Sequence, residues 1–268
     1  MHIKINEAKI LQFYTEQAAA HPSQRLTLRV NHIKDVVRHG ETIAGAIGLD
    51  TYGKTIMKIT TYLHDYYQVL QIAGDAPDPH LRHSAPEALE RVLFGNNQID
   101  EYVDGLTAFD KNVIKTAIEQ HAEIAVKLPA DADPLLVLFC NILRDADKSA
   151  IFELIKEPLY VLRNDWGFSD DQITNSISKD GGTTGINPKV LEDFLKGQSV
   201  LNADIKTPAD WAISMLGFLW NVQTEIALQN MLESAKIFID NLPFPAEVNN
   251  TVRGCYYHVL NELIVLRK

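Results

Sequence analysis

The sequence is poor in cysteine: of 268 residues, only Cys140 and Cys255 carry a thiol. Both lie in apolar contexts with helical spacing, where a cysteine behaves as a small hydrophobic residue. The sequence therefore predicts two free, buried thiols and no disulfide.

The sequence also lacks a long hydrophobic run. No apolar stretch approaches the ~18 residues that a membrane-spanning helix requires. The segment from Met1 to Asn6 is polar, and no apolar core of a signal peptide follows it. We therefore expect a cytoplasmic protein with no membrane partner.

The sequence has fewer basic residues than acidic ones. The chain has 25 Lys and Arg against 35 Asp and Glu, a formal net charge of −10, and a pI of about 5.3. A broadly acidic surface repels a phosphate backbone, which disfavours a nucleic-acid polymer as partner. A small phosphorylated substrate stays compatible, because a bound metal ion can supply local positive charge.

Strand patterns and internal repeats are absent as well, and apolar residues recur at helical spacing almost throughout. With 46% hydrophobic residues, the chain is expected to fold as an all-α protein. We predict one helical unit over residues 1–165 and a second part, 166–268, in which a long loop at 164–190 precedes a helical extension. Predicted helices cover residues 5–20, 23–48, 51–72, 84–94, 98–107, 110–126 and 132–156, with further helices from Thr207 to about Asn241 and from about Pro245 onward.

Several histidines and one aspartate occupy apolar helix faces. His32, His121 and Asp147 each share a face with hydrophobic residues, and the dipeptide His64-Asp65 lies inside the amphipathic helix predicted for 51–72. A buried carboxylate costs several kcal/mol unless it is paired or bound to a cation. The apolar stripe favours Asp147 over Asp145, whose face is polar, as the buried acid, although both stay candidates.

The remaining histidines are harder to assign as ligands or as surface residues. His83 begins the predicted helix 84–94, and an imidazole there can turn toward a neighbouring site. His80 competes with it, while His39 faces a more polar neighbourhood. The others, His2, His21 and His258, are interpreted as surface or packing residues.

Taken together, these residues resemble the HD superfamily of metal-dependent phosphohydrolases, over residues 25–156. The family orders its ligands as H…HD…H…H…D. The matching segments here are Asn31-His32-Ile33-Lys34-Asp35-Val36, Leu63-His64-Asp65, Arg82-His83-Ser84-Ala85-Pro86, Ile118-Glu119-Gln120-His121 and Leu143-Arg144-Asp145-Ala146-Asp147-Lys148.

The resemblance implies an HD-type helical bundle that binds one or two divalent metal ions, among Fe, Mn, Zn, Ni and Mg. The implied ligands of one metal are His32, His64, Asp65 and Asp147, and the implied ligands of a second are His83 and His121. It further implies a hydrolase in which Asp65 bridges the two metals, a metal-activated water attacks a small phosphoester or nucleotide, and Lys148 supports catalysis.

Some residues depart from the family pattern. Tyr66-Tyr67-Gln68 stands where the family usually has Ile-Gly followed by Lys or Arg, so a phosphate-holding cation is missing there. Lys148, Arg82 or Arg29 are the candidates to replace it. The departure leaves two alternatives open: a non-catalytic metal-binding sensor or interaction module, and a di-iron oxygenase built on the same ligands.

Two further features concern the second part of the chain. The loop Gly181-Gly182-Thr183-Thr184-Gly185 has backbone amides that could cradle phosphate, but it lacks the context of a P-loop, which favours a mobile loop. The apolar series around Trp211 and Leu219 indicates a core or a dimer contact, so a homodimer stays open.

Overall fold

The structure is a computed structural model that describes residues 3–95, 97–123 and 126–266, so His2 lies outside the described residues. Helices dominate, and the only sheet among the described residues pairs two strands of two residues each, which confirms the predicted all-α class. None of the described helices combines the length and hydropathy of a membrane crossing. The chain divides into two compact units, Met1–Ala150 and Ile151–Lys268, whereas the sequence placed the boundary after residue 165.

The first unit contains the predicted ligands. Its helices are α1 (Glu7–Ala20), α2 (Gln24–Ala46), α3 (Thr51–Leu63), α4 (Tyr66–Ala73), α5 (Pro86–Leu89), α6 (Ala108–His121) and most of α7 (Pro134–Leu154).

Short polar residues begin the long helices of this unit. The side chains of Ser23 and Asp50 accept backbone N–H bonds at the starts of α2 and α3, and Thr107 with Asp110 forms a capping box for α6. The helices bury a core that includes Ile33, Ile56 and many other aliphatic residues. This packed core fixes the helices that carry the candidate site.

The segment between α5 and α6 differs from the prediction. In place of one helix over 84–94, α5 begins after the N-cap Ala85, and a π-helical turn at Glu90–Phe94 follows α5 directly. The helix predicted for 98–107 is a short 3-10 turn at Gln98–Glu101 followed by a strand. That strand, β2 (Val103–Asp104), pairs antiparallel with β1 (Lys4–Ile5), with Lys4 opposite Asp104.

The second unit is also helical. Its helices are α8 (Pro158–Asn164), α9 (Asp170–Asn175), α10 (Pro188–Leu195), α11 (Pro208–Leu216), α12 (Glu225–Asp240) and α13 (Ala246–Leu266). Thr207 caps α11 ahead of Pro208, as predicted. Trp211 and Leu219 are fully buried, which favours core over dimer contact for this series.

The predicted loop at 164–190 has structure of its own. It contains α9 and an isolated bridge between Ile177 and Thr184. Within it, the Asp180 carboxylate accepts hydrogen bonds from the Gly182 amide (2.9 Å) and the Ser178 hydroxyl (2.5 Å). This loop therefore uses its polar groups internally and offers no support for a phosphate cradle.

Candidate metal centre

The His64-Asp65 pair lies in a break between two helices and not inside the continuous helix that the sequence predicts for 51–72. α3 ends at Leu63, Asp65 has φ −108° and ψ 16°, and α4 begins at Tyr66. Carbonyls in the last turn of a helix lack intrahelical partners. Here the Thr61 carbonyl accepts a bond from Nδ1 of His64 (2.7 Å), and the hydroxyl of the buried Tyr14 stabilises the same turn.

A first group of ligand atoms combines α2, the helix break and α7. It consists of His32, His64 and Asp147, all buried, with one donor atom from each lying within 4.8 Å of the others. Nε2 of His32 lies 2.9 Å from Oδ1 of Asp147. Three residues far apart in the sequence thus converge on one point.

A second group combines the helix break, the turn before α5 and the end of α6. It consists of Asp65, His83 and His121, again with donor atoms within 4.8 Å of one another. Nε2 of His83 and Nε2 of His121 each lie 3.7 Å from Oδ1 of Asp65.

Asp65 connects the two groups through its two oxygens. Its Oδ1 faces His83 and His121, while its Oδ2 lies 3.3 Å from Nε2 of His64 and 3.8 Å from Nε2 of His32. The six predicted ligands are therefore all close together, with Asp65 in the middle.

Two of the imidazoles are oriented so that Nε2 can donate a lone pair to a metal ion. Nδ1 of His64 and Nδ1 of His121 each face a backbone carbonyl in the preceding turn, of Thr61 and Ile118 respectively, and donation to it leaves Nε2 with a free lone pair. Nε2 of His64 is buried and forms no hydrogen bond with any described residue. A buried nitrogen without a partner is costly in a protein but suits a metal ligand.

The protonation equilibria differ among the imidazoles. Burial lowers the pKa of His32, and it lowers the pKa of His83 to about 4, so both rings are neutral near pH 7. Burial would also lower the pKa of His64, but the charges of Asp65 and Asp147 and the hydrogen-bonding groups around the ring together outweigh burial, and the net shift is upward. The site thus attracts positive charge at Nε2 of His64, which a proton or a metal cation can supply.

Two basic side chains pair with the two carboxylates. Nη1 of Arg29 lies 2.7 Å from Oδ2 of Asp65, and Nζ of Lys148 lies 2.6 Å from Oδ2 of Asp147. Burial would raise both carboxyl pKa values, yet His64 and Arg29 around Asp65, and Lys148 around Asp147, hold them well below the usual range. Both acids are therefore ionised and able to bind a cation.

The structure places the alternative residues from the sequence differently. His80 is exposed, whereas His83 joins the second group. The prediction of a solvated Asp145 is wrong, because this residue is 2% exposed, but it belongs to neither group. His39 is also buried rather than polar-facing, with Nε2 3.2 Å from Nη2 of Arg38.

Other histidines and tyrosines lie outside the two groups. His21 pairs with Asp75, and His258 contacts the carbonyl of Leu195, in agreement with surface or packing roles. The hydroxyls of the tyrosines that follow the HD pair lie against other partners: that of Tyr66 lies 3.1 Å from the hydroxyl of Tyr102, and that of Tyr67 donates to the carbonyl of Asp78.

Sequence reasoning missed the residues that support the ligands. Tyr14 donates its hydroxyl to the Tyr62 carbonyl at the helix break (2.5 Å). Arg144 is 9% exposed and donates to backbone carbonyls at the end of α6. No periodicity signals such contacts, because they join residues that are distant in the sequence.

Comparison with known proteins adds no family assignment: no family model matches the chain, and no significant match was found among the curated proteins or the solved structures. The interpretation of the site therefore depends on its donor atoms alone. Its buried imidazoles and carboxylates form two groups that could hold metal ions.

Proposed function

We propose that this chain is a metal-dependent phosphohydrolase that hydrolyses a small phosphoester such as a nucleotide. The observation that carries the proposal is the position of Asp65, whose two oxygens face two different groups of imidazoles. A carboxylate in that position can serve two cations, as two-metal hydrolases require. The proposal agrees with the resemblance to the HD superfamily that the sequence suggests.

The donor set narrows the choice of metal. Imidazole nitrogens with carboxylate oxygens suit Fe, Mn, Zn or Ni better than Mg, which prefers oxygen ligands and water. Divalent cations held there would supply the Lewis acidity that activates a water and offsets charge on a phosphoryl group.

Arg29 and Lys148 are the residues we expect to hold the substrate phosphoryl group. Their side chains are 22% and 17% exposed and that of His83 is 20% exposed, whereas the side chain of Asp65 is only 2% exposed. The partly exposed residues mark the side from which solvent and substrate reach the carboxylates. The two cationic side chains balance the two carboxylates, so bound metal would make the site positive and attractive to an anion.

The proposal is tested by metal content and turnover of the whole chain. The wild type is expected to retain or take up two equivalents of Fe or Mn and to hydrolyse at least one compound from a panel of nucleotides and sugar phosphates. His32→Ala and Asp65→Ala should lose both properties. His39→Ala is the matched control, because His39 is buried in the same helix but belongs to neither group.

The outcome also separates the alternatives. Tight metal binding without turnover of any phosphoester would refute the hydrolase and leave a metal-binding sensor or interaction module. Oxygen uptake by the iron-loaded protein would point to an oxygenase instead. Absence of metal after reloading would refute all three.

A further inference from the structure

The turn that carries His83 is tied to the end of α6, which carries His121. Arg82 adjoins His83, and its Nη2 forms an ion pair with Oε1 of Glu123. Glu123 lies two residues beyond His121. The Arg82–Glu123 pair therefore connects the two histidines of the second group from outside the ligand set.

Arg144 holds the same end of α6 from the other side. Its Nη1 donates to the carbonyl of Gln120 (3.2 Å) and to the carbonyl of Glu123. Carbonyls at a helix C-terminus lack intrahelical donors, so this guanidinium fixes the backbone just past His121. Glu123 is thus held at its backbone by α7 and at its carboxylate by the His83 turn.

Within the described ranges of the chain, His83 lacks an orienting hydrogen bond that His64 and His121 have. Hydrogen bonds from Nδ1 to backbone carbonyls orient His64 and His121. Among the described residues, no such bond orients His83, whose ring lies beside that of His121 with centroids 5.4 Å apart. The position of its ring follows from the position of the turn. The pair between Arg82 and Glu123 helps to hold this turn, beside the hydrogen bond from Nε2 of Gln71 to the Leu81 carbonyl (2.7 Å).

We propose that Glu123 is a positioning residue for the second metal: by holding Arg82, it places His83 against His121 and Asp65 and so sets the affinity of the second group for a cation. The inference rests on the proposed function in requiring cations at both groups. Because the side chain of Arg82 is 48% exposed, water screens the ion pair, and we expect its removal to change metal affinity by roughly two- to fivefold.

The test is a Mn²⁺ titration of the full chain. Binding is monitored by calorimetry, by elemental analysis and by the exchange-coupled EPR signal of a manganese pair. Glu123→Ala and Arg82→Ala are expected to weaken the second Mn²⁺ by roughly two- to fivefold, to leave the first unchanged and to reduce the coupled signal. Lys127→Ala is the matched control, because Nζ of Lys127 also contacts Glu123 (2.9 Å) but its side chain is 72% exposed and adjoins neither histidine.

A charge-swapped variant, Arg82→Glu with Glu123→Arg, separates positioning from damage to the fold, since it should recover much of the second-site affinity. Unchanged binding of the second Mn²⁺ in both single variants would overturn the inference while leaving the proposed function intact. Equal weakening of both ions would also overturn it. A wild type that takes up neither Mn²⁺ nor Fe²⁺ would instead overturn the proposed function, and this inference with it.

Discussion

Replacing Asp65 by Asn is the most informative single change. It keeps the size of the side chain but removes the negative charge that faces both groups. A carboxylate and a divalent cation 4 Å apart attract each other by about 8 kcal/mol at an effective dielectric constant of 20. Asp65 is 2% exposed, so water screens it little, and part of its charge is already offset by Arg29 at 2.7 Å. The amide oxygen of asparagine can still contact the cation, so we expect a net loss of about 3 kcal/mol per cation, or a roughly hundredfold rise in Kd.

The same substitution also affects the metal-free protein. Removing one partner of a buried ion pair costs about 3–5 kcal/mol when the other is left without solvent. The side chain of Arg29 is 22% exposed and can regain water, so we expect a smaller loss of about 1–3 kcal/mol. The protein should remain folded, and circular dichroism must verify this before metal is added.

The assay is calorimetric titration with Mn²⁺ at a temperature where both proteins are folded. Asp145→Asn is the control, because Asp145 is an equally buried acid on α7 that belongs to neither group. The control should bind Mn²⁺ like the wild type. Wild-type stoichiometry and affinity in Asp65→Asn would refute the idea that this carboxylate serves both groups.

Three further predictions concern stability. Tyr14→Phe removes a buried hydrogen bond to the Tyr62 carbonyl and should lower the free energy of unfolding by about 1–2 kcal/mol, measured by urea titration at 222 nm. Burial would raise the pKa of Asp110, but hydrogen bonds, including one from Tyr52, keep it below its usual value. Asp110→Asn should therefore lower the free energy of unfolding at pH 7. The difference from the wild type should disappear as the pH falls below about 3.9 and through the lower folded pKa. A difference that is independent of pH would contradict this. Thr207→Ala should cost about 1 kcal/mol in tryptophan-monitored unfolding, since every tryptophan lies in the second unit, and an unchanged midpoint would refute the cap.

Local patterns predicted the long helices well, but not the short elements between them or the points where helices are interrupted. The apolar spacing runs through residues 51–72 without a gap, and no Gly or Pro marks the break at His64. The break is stabilised by contacts that the sequence order hides: the hydroxyl of Tyr14 and the imidazole of His64 itself. Because these contacts are tertiary or depend on a rotamer, helical periodicity carries no signal for them.

The candidate ligands were predictable where a charge or an imidazole stood on an apolar stripe. The argument worked for Asp147 because a buried carboxylate requires a cation. It failed for Asp145 because every residue from Ile142 to Asp147 is buried, so this part of α7 has no solvated face to distinguish. Between His80 and His83 the sequence offered no periodicity at all, since both lie in turns.

The helix break explains more of the site than the His-Asp pair alone does. In an uninterrupted helix the carbonyl of Thr61 would accept from the amide of Asp65, and no acceptor would remain for the imidazole of His64. With the helix ended, that carbonyl is free to accept from Nδ1, which fixes the lone pair on Nε2 beside Oδ2 of Asp65. The end of α3 thus sets both the direction of the Asp65 carboxylate and the tautomer of His64. A cation at this site therefore depends on the helix end as much as on the ligands, and residues that stabilise that end belong to its energetics.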